Sequence, residues 1–172
     1  MKKLLFFLSF ATITYGGFIN KEVSINTSTE KKTINALLND WHTAAANADY
    51  NSYFDKIAED GYFMGTDATE NWNKKDFSVF AKPHFDKGKA WNFKTLERNI
   101  YFSEDGKTAW FDELLDTWMK VCRGSGVLEK EGDGWKIKHY VLSMTVPNKV
   151  TKEIIPLKAK YEDSLIEEMK EQ

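Results

Sequence analysis

The sequence predicts an α+β domain: a cone-shaped, curved antiparallel sheet wraps around three N-terminal helices, and an extra helix follows at the C-terminus. Helical spacing of apolar residues in the first half of the chain is one basis for this prediction. The other is the stretch from Lys107 to Asn148, where three long strand-like runs are joined by tight turns. Strands joined by hairpins are antiparallel, and strands of this length twist and curl. Helices that precede such a sheet place the chain in the α+β class.

The first 17 residues have the layout of a secretory signal peptide. Lys2 and Lys3 precede an apolar run from Leu4 to Ile13, which is short for a membrane span and gives way to small residues. A buried N-terminal helix is the alternative. We expect export to the periplasm or the medium, a polar linker over residues 18–29, and no membrane attachment after signal cleavage.

Three helices are predicted before the main sheet. Thr27 and Glu30 have the spacing of a capping box that opens the first helix. Asp49 is placed to cap a second, shorter helix, and a third begins near Asn73. Pro83 predicts a kink or an end of this third helix. The apolar positions of the three helices are Ile34, Leu37, Leu38, Trp41, Ala45 and Ala48; Tyr53, Phe54 and Ile57; and Phe77, Phe80 and Phe85.

Five strands are predicted. The first, Tyr62 to Met64, lies between the second and third helices. The next runs from about residue 91 to 102 and needs a bulge near residues 95–97, because its apolar residues change parity there. Turns at residues 104–107 and 132–134 then separate strands over about residues 108–120, 122–130 and 135–146. Pro147 ends the last strand, and a narrow apolar stripe predicts a helical extension over residues 149–172.

Composition excludes one class of partner and favours a ring-lined pocket. The chain has 24 basic and 26 acidic residues and a net charge of −2, and no basic block interleaves with aromatic residues. Nothing therefore indicates nucleic-acid binding. Aromatic residues make up 15% of the chain, which suits both a compact core and an aromatic pocket. Cys122, the only cysteine, lies within a predicted strand, where we expect a buried and inert thiol.

Three segments resemble a known family: Trp41 to Tyr53 (WHTAAANADYNSY), Tyr62 to Asp67 (YFMGTD) and Gly134 to Ser143 (GWKIKHYVLS). Together with the element order, they resemble the nuclear transport factor 2-like superfamily, and most of all its SnoaL-like branch, over residues 30–148. The superfamily contains isomerases, cyclases, dehydratases, binding modules and many exported proteins of unknown role. The resemblance therefore implies a fold far more firmly than an activity.

Ketosteroid isomerase, a member of that superfamily, gives the sharpest comparison. The resemblance places Asp67, just after the first strand, at the position of the general base. Trp41 stands where these enzymes carry an oxyanion-binding Tyr, and Arg123 stands near the position of their protonated Asp. Steroid-type proton transfer is therefore not expected, although an Asp base with a cationic or N–H donor for an enolate stays open. The alternative for Asp67 is ordinary turn chemistry.

The strand over residues 108–120 carries acids on both faces. Alternation gives one face Trp110, Asp112, Leu114, Asp116 and Trp118, and the other Phe111, Glu113, Leu115, Thr117 and Met119. The sequence leaves open which face lines the cavity. Because both faces are largely apolar, the acids need partners, and Arg123 is predicted to pair with Glu113 or Asp116. Such a pair either belongs to an anion-binding site or fixes the strand register; Ser125 shares the wall with Arg123.

Two histidines are candidate site residues. His139 shares parity with Trp135 and Ile137, which predicts the concave face and a role as base or ligand-orienting donor, with a satisfied core histidine as the alternative. His42 follows Trp41 and is expected to face the same cavity. The histidines lack the spacing of a zinc site, and the chain has no glycine-rich phosphate loop. We expect no metal and no cofactor.

These observations combine into one predicted cavity. Its candidate catalytic residues are Asp67, His139 and Arg123, and its candidate ligand-binding residues are Trp41, His42, Tyr53, Met64, Glu113, Asp116, Trp118 and Ser125. We expect an aromatic-lined site for a small organic molecule. The alternative is an isomerase, dehydratase or cyclase that uses an Asp or His base with Arg as anion stabiliser.

A homodimer is expected through the outer face of the sheet. Four apolar residues of the last strand alternate on the face opposite His139: Tyr140, Leu142, Met144 and Val146. An exposed patch of that size is unusual on a monomer. The C-terminal helix lying over the same face is the alternative.

Overall fold

The structure, a computed structural model, describes residues 26–171. The predicted signal peptide and the first part of the predicted linker lie outside the described residues. The elements are α1 (Thr27–Ala46), α2 (Tyr50–Asp55), β1 (Ile57–Met64), β2 (Asn71–Asn73), α3 (Lys74–Asp86), β3 (Lys94–Phe102), β4 (Thr108–Thr117), β5 (Lys120–Glu131), β6 (Gly134–Met144), a 3-10 turn (Asn148–Val150) and α4 (Thr151–Lys170). The predicted α+β order is confirmed, and β2 is an addition to it.

The strands form one curved sheet in the order β2-β1-β6-β5-β4-β3. The meander from β3 to β6 is antiparallel, as predicted. In contrast, β1 pairs with β6 in parallel, which was not predicted. A parallel pair needs a long crossover connection, and here α3 and the strands β3 to β5 supply it. This pairing sets Met64, at the end of β1, beside Val141 of β6.

Side chains at the helix ends fix where the helices begin. α1 begins after Asn26, whose side chain accepts the Thr29 N–H at 3.2 Å, so the predicted capping box at Thr27 is wrong. Glu30 instead accepts Lys130 Nζ and Trp135 Nε1, both at 2.7 Å, and ties α1 to β5 and β6. The predicted cap of α2 is confirmed, since Asp49 accepts the Ser52 N–H at 3.0 Å.

The third helix continues past its proline. α3 begins next to Asn73, near the predicted start, and the Asn73 side chain caps it. The helix runs through Pro83 to Asp86, so it does not end at the proline. Proline removes one backbone donor from a helix. Ala81 and Phe85 are buried on either side of Pro83, and their packing holds the last turn in place.

Two β-bulges decide which residues face the core. The predicted bulge in β3 is confirmed between Thr95 and Glu97. A second bulge lies in β6, where Leu128 pairs with Ile137 but Val127 pairs with His139, so that Lys138 is an extra residue. An extra residue in a strand moves every following side chain to the opposite face of the sheet.

The inward residues of β6 therefore change side along the strand. Trp135 and Ile137 face the core before the bulge, and Tyr140 and Leu142 face it afterwards. The predicted outer position of Tyr140 and Leu142 is wrong for this reason. Met144 and Val146 are exposed, at 55% and 42%.

The C-terminal helix is present as predicted but buries no residue. It lies beside the loop of residues 66–69, with a groove of about 500 Å³ between them. Leu157 and Tyr161 are 65% and 71% exposed, so α4 adds little to the core. Within residues 26–171, the helices all fall short of the length and apolar character that a membrane crossing needs.

Candidate functional site

The sheet holds a ring-lined cavity of about 160 Å³ at the edge where β1 ends and β4 turns into β5. We call it the mouth cavity. Its apolar walls come from β1, β2, α3, the segment before β3, the β4–β5 turn and β6: Phe63, Trp72, Phe77, Phe80, Trp91, Phe93, Trp118, Met119 and Leu142. Phe63 and Phe77 stack at 4.0 Å between ring centroids, and Trp72 stacks on Phe80 at 4.5 Å. The stacked rings give the cavity flat walls.

Glu70 is the only charged side chain in the lining of the mouth cavity, which also includes Gly65 and Thr66. Its Oε2 accepts the Asp67 N–H at 3.2 Å. The carboxylate packs so closely on Gly65 that a side-chain carbon at residue 65 would collide with it. Within residues 26–171, Glu70 Oε1 has no hydrogen-bond partner. The cavity therefore offers one free anionic acceptor to a ligand.

A buried acid lies behind the cavity wall. Glu113 is 1% exposed and accepts hydrogen bonds from three elements. His42 Nε2 lies 2.9 Å from Oε1, and the Tyr140 hydroxyl donates to the same oxygen at 3.1 Å. Arg98 donates to Oε2 through Nε at 2.9 Å and through Nη2 at 2.7 Å. We call these four residues the Glu113 network.

The charges in this network are set by burial and by close partners. Burial raises the pKa of Glu113, but the hydrogen bonds and charges of His42 and Arg98 outweigh that effect and hold the pKa below its ordinary value. Glu113 is therefore an anion at neutral pH. Burial and the Glu113 charge raise the pKa of Tyr140 well above its ordinary value, so its phenol stays protonated and donates.

One layer of rings separates the network from the mouth cavity. Tyr140 stacks on Phe63 at 5.5 Å, and the His42 ring meets Phe93 at 6.2 Å. Trp41 packs edge-on against Tyr140 at 4.8 Å. In the part of the chain that the structure describes, Trp41 Nε1 and the Tyr53 hydroxyl are buried without a hydrogen-bond partner. Such groups are rare in native proteins and commonly mark a place for water or a ligand.

The match to known proteins agrees with this fold. Residues 34–147 match the SnoaL-like domain family. The chain belongs to this family. No curated protein sequence matches the chain closely enough to count as a relative.

Solved structures similar to this SnoaL-like domain show the same architecture. A nuclear transport factor 2-like protein of unknown function from Pseudomonas putida has 14% identity and a TM-score of 0.59, over 73% of this chain and 93% of its own. A candidate scytalone dehydratase from Novosphingobium aromaticivorans has 12% identity and a TM-score of 0.60, over 70% and 87%. A domain of unknown function with a cystatin-like fold from Nostoc punctiforme has 13% identity and a TM-score of 0.62, over 84% and 99%. At these identities the likeness shows the fold alone.

Five of the predicted site residues lie on the concave side of the SnoaL-like domain or at its mouth. Trp41, His42, Tyr53 and Glu113 are buried there. Trp118 lines the mouth cavity and is 81% exposed. A role of these residues in ligand binding stays a prediction.

The predicted partner of Glu113 is wrong. Arg123 is exposed and pairs in register with Leu114 on the outer side of the sheet, whereas Arg98 makes the ion pair. A sequence signal for Arg98 existed, because beyond the β3 bulge it shares parity with the apolar Ile100 and Phe102. A charged residue on a core-facing parity needs a buried partner.

Three other predicted ligand-binding residues also face outward. Asp116 and Ser125 lie on the sheet face opposite Glu113, and Met64 follows the inward Phe63. Their predicted place in the cavity is wrong, because the inward parity of β4 is the one that carries Glu113.

The predicted convergence of Asp67, Arg123 and His139 on one cavity is also wrong. Asp67 is exposed in the loop after β1, where Oδ1 accepts the Thr69 N–H at 2.9 Å and the Thr69 hydroxyl at 2.6 Å. These hydrogen bonds hold the pKa of Asp67 below its ordinary value, as turn chemistry predicts. His139 is half-buried on the outer side because of the β6 bulge.

Two polar groups of the site, Glu70 and Arg98, were not among the residues predicted from the sequence. Glu70 had no periodic pattern to reveal it, since it lies in the loop between β1 and β2. Among residues 26–171, no three His, Cys, Asp or Glu side chains are grouped in a way that could hold a metal ion.

Proposed function

We propose that this SnoaL-like protein is exported and binds a small, single-ring organic molecule with a hydrogen-bond donor in the mouth cavity. The observation that carries the proposal is a cavity of about 160 Å³ with nine apolar walls and one charged group, Glu70. A dry cavity of about 150 Å³ holds a benzene-sized molecule. Flat, stacked ring walls favour a planar ligand.

Glu70 is the reason why the proposed ligand should carry a hydrogen-bond donor. Its free Oε1 can accept a hydrogen bond from a hydroxyl or an amine of the ligand. A ligand carboxylate would instead meet a like charge with no cation in the lining of the cavity to offset it. Phenols and aromatic amines therefore suit the site better than aromatic acids.

The expected affinity for a minimal ligand is modest. Burying roughly 150 Å² of a phenol ring stabilises the complex by about 4 kcal/mol, at about 25 cal/mol per Å². That free energy corresponds to a Kd of about 1 mM. A natural ligand with more contacts at the rim, around Trp118 and Phe80, would bind more tightly.

Titration of ¹⁵N-labelled protein with phenol tests the proposal. We expect saturable shifts centred on the backbone amides of Gly65, Glu70 and Met119, which line the mouth cavity. Trp118→Ala should weaken phenol binding. Trp110→Ala is the matched control, because Trp110 is also an exposed tryptophan but stacks on Tyr101 on the outer face of β4, outside the cavity lining. Shifts spread over the surface, or equal losses in both variants, would contradict the proposal.

Export and dimerisation belong to the same proposal and rest on separate observations. Export is supported by Lys2, Lys3 and the apolar run that follows them. A homodimer through the outer sheet face is supported by exposed apolar side chains on that face: Tyr62 at 49%, Tyr101 at 47%, Trp110 at 45% and Val121 at 42%.

The isomerase, dehydratase or cyclase alternative gains no support from Asp67, His139 or Arg123, since none of them lines the mouth cavity. The buried acid–base pair of the domain is His42 with Glu113.

A further inference from the structure

A second concavity of about 330 Å³ lies between α1 and the chain entering β3, and we call it the α1–β3 groove. It is lined by Asn39, His42, Thr43, Ala46, Asn92, Phe93, Lys94 and Thr95. No acidic side chain is part of this lining. Phe93 lines both the groove and the mouth cavity, so a single ring separates the two spaces.

Glu113 fixes which nitrogen of His42 carries the proton. The Glu113 carboxylate is anionic and can only accept hydrogen bonds. His42 Nε2, 2.9 Å from Oε1, must therefore carry the hydrogen of that bond. In the neutral imidazole, Nδ1 is then the basic nitrogen with a free lone pair.

The basic nitrogen of His42 is open to the groove. Nδ1 has no hydrogen-bond partner among the described residues. Among the described residues, the fully buried side-chain atoms without a partner are Trp41 Nε1 and the Tyr53 hydroxyl. His42 Nδ1 is not among them, so it keeps contact with solvent. The ring is otherwise buried, and His42 contributes to the groove lining.

We propose that His42 and Glu113 form a general-base dyad that serves the α1–β3 groove, with His42 Nδ1 accepting a proton from a small polar molecule without a positive charge bound there. A carboxylate that holds one imidazole nitrogen so that the other acts as base is an established catalytic arrangement. His42 is the catalytic residue and Glu113 the positioning residue. Arg98 and Tyr140 hold the carboxylate in place through their own hydrogen bonds.

The lining indicates the class of substrate. Asn39, Thr43, Asn92 and Thr95 offer amide and hydroxyl groups, and Lys94 adds a positive charge, which suits a polar molecule without a positive charge. In the proposed step, a substrate O–H or acidic C–H bond breaks, its proton passes to Nδ1, and its electron pair stays on the substrate. Return of the proton to a different atom completes an isomerisation, so the step needs no co-reactant.

The charges around His42 favour this role. Glu113 on β4 faces the ring and stabilises the imidazolium that forms. Arg98 on β3 reaches the same carboxylate and opposes that effect in part. Tyr140 on β6 is neutral, and Lys94 borders the groove.

The tautomer of the wild-type protein gives a test that needs no variant. Long-range ¹H–¹⁵N spectra of the neutral His42 ring should show a protonated Nε2 and an unprotonated Nδ1. A protonated Nδ1 with a bare Nε2 would overturn the proposal, because the base would then face Glu113 instead of the groove.

Base-promoted ring opening of 5-nitrobenzisoxazole tests the chemistry. The base removes the ring C–H proton, the N–O bond breaks, and a yellow nitrophenolate forms. We expect the full-length protein to exceed an equal concentration of imidazole, with a rate that rises with pH to a plateau. His42→Gln should lose about 100-fold, the usual scale of general-base catalysis. His139→Gln, the control outside both concavities, should keep the wild-type rate.

Two further outcomes decide the roles within the dyad. In Glu113→Gln, the midpoint of the pH–rate profile should move to lower pH, since the imidazolium loses its counter-charge; an unchanged midpoint would refute the positioning role. No rate above imidazole, or an equal loss in His42→Gln and His139→Gln, would refute the dyad. Phenol binding at the mouth cavity is measured separately, so failure of one proposal leaves the other intact.

Discussion

Replacement of Arg98 by Met leaves the buried Glu113 carboxylate without its ion-pair partner. The Arg98 side chain is 3% exposed, and its guanidinium donates twice to Glu113, whose side chain is fully buried. Arg98 also donates to Asn39 Oδ1 at 2.9 Å and to Thr95 Oγ1 at 2.9 Å. Met keeps much of the side-chain volume and removes every one of these donors.

The expected loss of unfolding free energy in Arg98→Met is large. Breaking a buried ion pair by removing one partner costs about 3–5 kcal/mol. For a domain of this size each kcal/mol lowers Tm by about 2–4 °C, so the loss corresponds to roughly 6–20 °C. Arg123→Met is the matched control, because Arg123 is exposed on the outer face. An exposed substitution of this kind changes stability by about 0.5 kcal/mol or less.

Urea unfolding followed by circular dichroism, at several pH values, is the assay. In the wild type the pKa of Glu113 is held below its unfolded value, so its contribution is present above the unfolded pKa and is lost as pH falls through the folded pKa. In Arg98→Met the pKa of Glu113 should rise, because the carboxylate loses the positive charge and the hydrogen bonds of Arg98. Glu113 of the variant then takes up a proton more readily on folding. The difference in unfolding free energy between the wild type and the variant should therefore shrink as pH falls. A loss below about 1 kcal/mol, well short of the range for buried pairs, or an equal loss in Arg123→Met, would refute the reasoning.

Three further predictions follow from the same structure. Gly65→Ala should disturb the loop after β1 and weaken phenol binding, because the added carbon collides with Glu70. Gly134→Ala, where the added carbon meets only the Glu131 carbonyl at 3.8 Å, is a control for the general cost of losing glycine. The mature protein should be a dimer by light scattering and Trp110→Glu should dissociate it, while a wild-type monomer would contradict the outer-face interface. Intact mass of the exported protein should place its start near Phe18, and retention of Met1 on a purely cytosolic product would exclude export.

Local patterns were enough to predict much of the fold. The apolar residues of β3 change parity at residues 95–97, which predicted its bulge. The cap at Asp49 and the start of the third helix near Asn73 were equally local predictions and are confirmed.

The site was harder to predict because its contacts are distant in sequence or hidden by uniform hydrophobicity. Both parities of β6 carry apolar residues, such as Ile137 on one and Tyr140 on the other, so the bulge at Lys138 leaves no pattern. That one extra residue turned His139 out of the predicted cavity. The Arg98–Glu113 pair depends on the β3–β4 register, which runs unbroken from the hairpin turn to Arg98 and Glu113.

The ratio of the Kd values for benzoate and phenol tests the central claim about the mouth cavity most directly. A like charge about 4 Å from Glu70 costs about 1 kcal/mol even in bulk water, so the wild type should prefer phenol by at least about fivefold. Glu70→Gln should remove that preference while phenol still binds, because the ring walls are unchanged. An equal ratio in both proteins, or no saturable phenol binding by the wild type, would contradict the account.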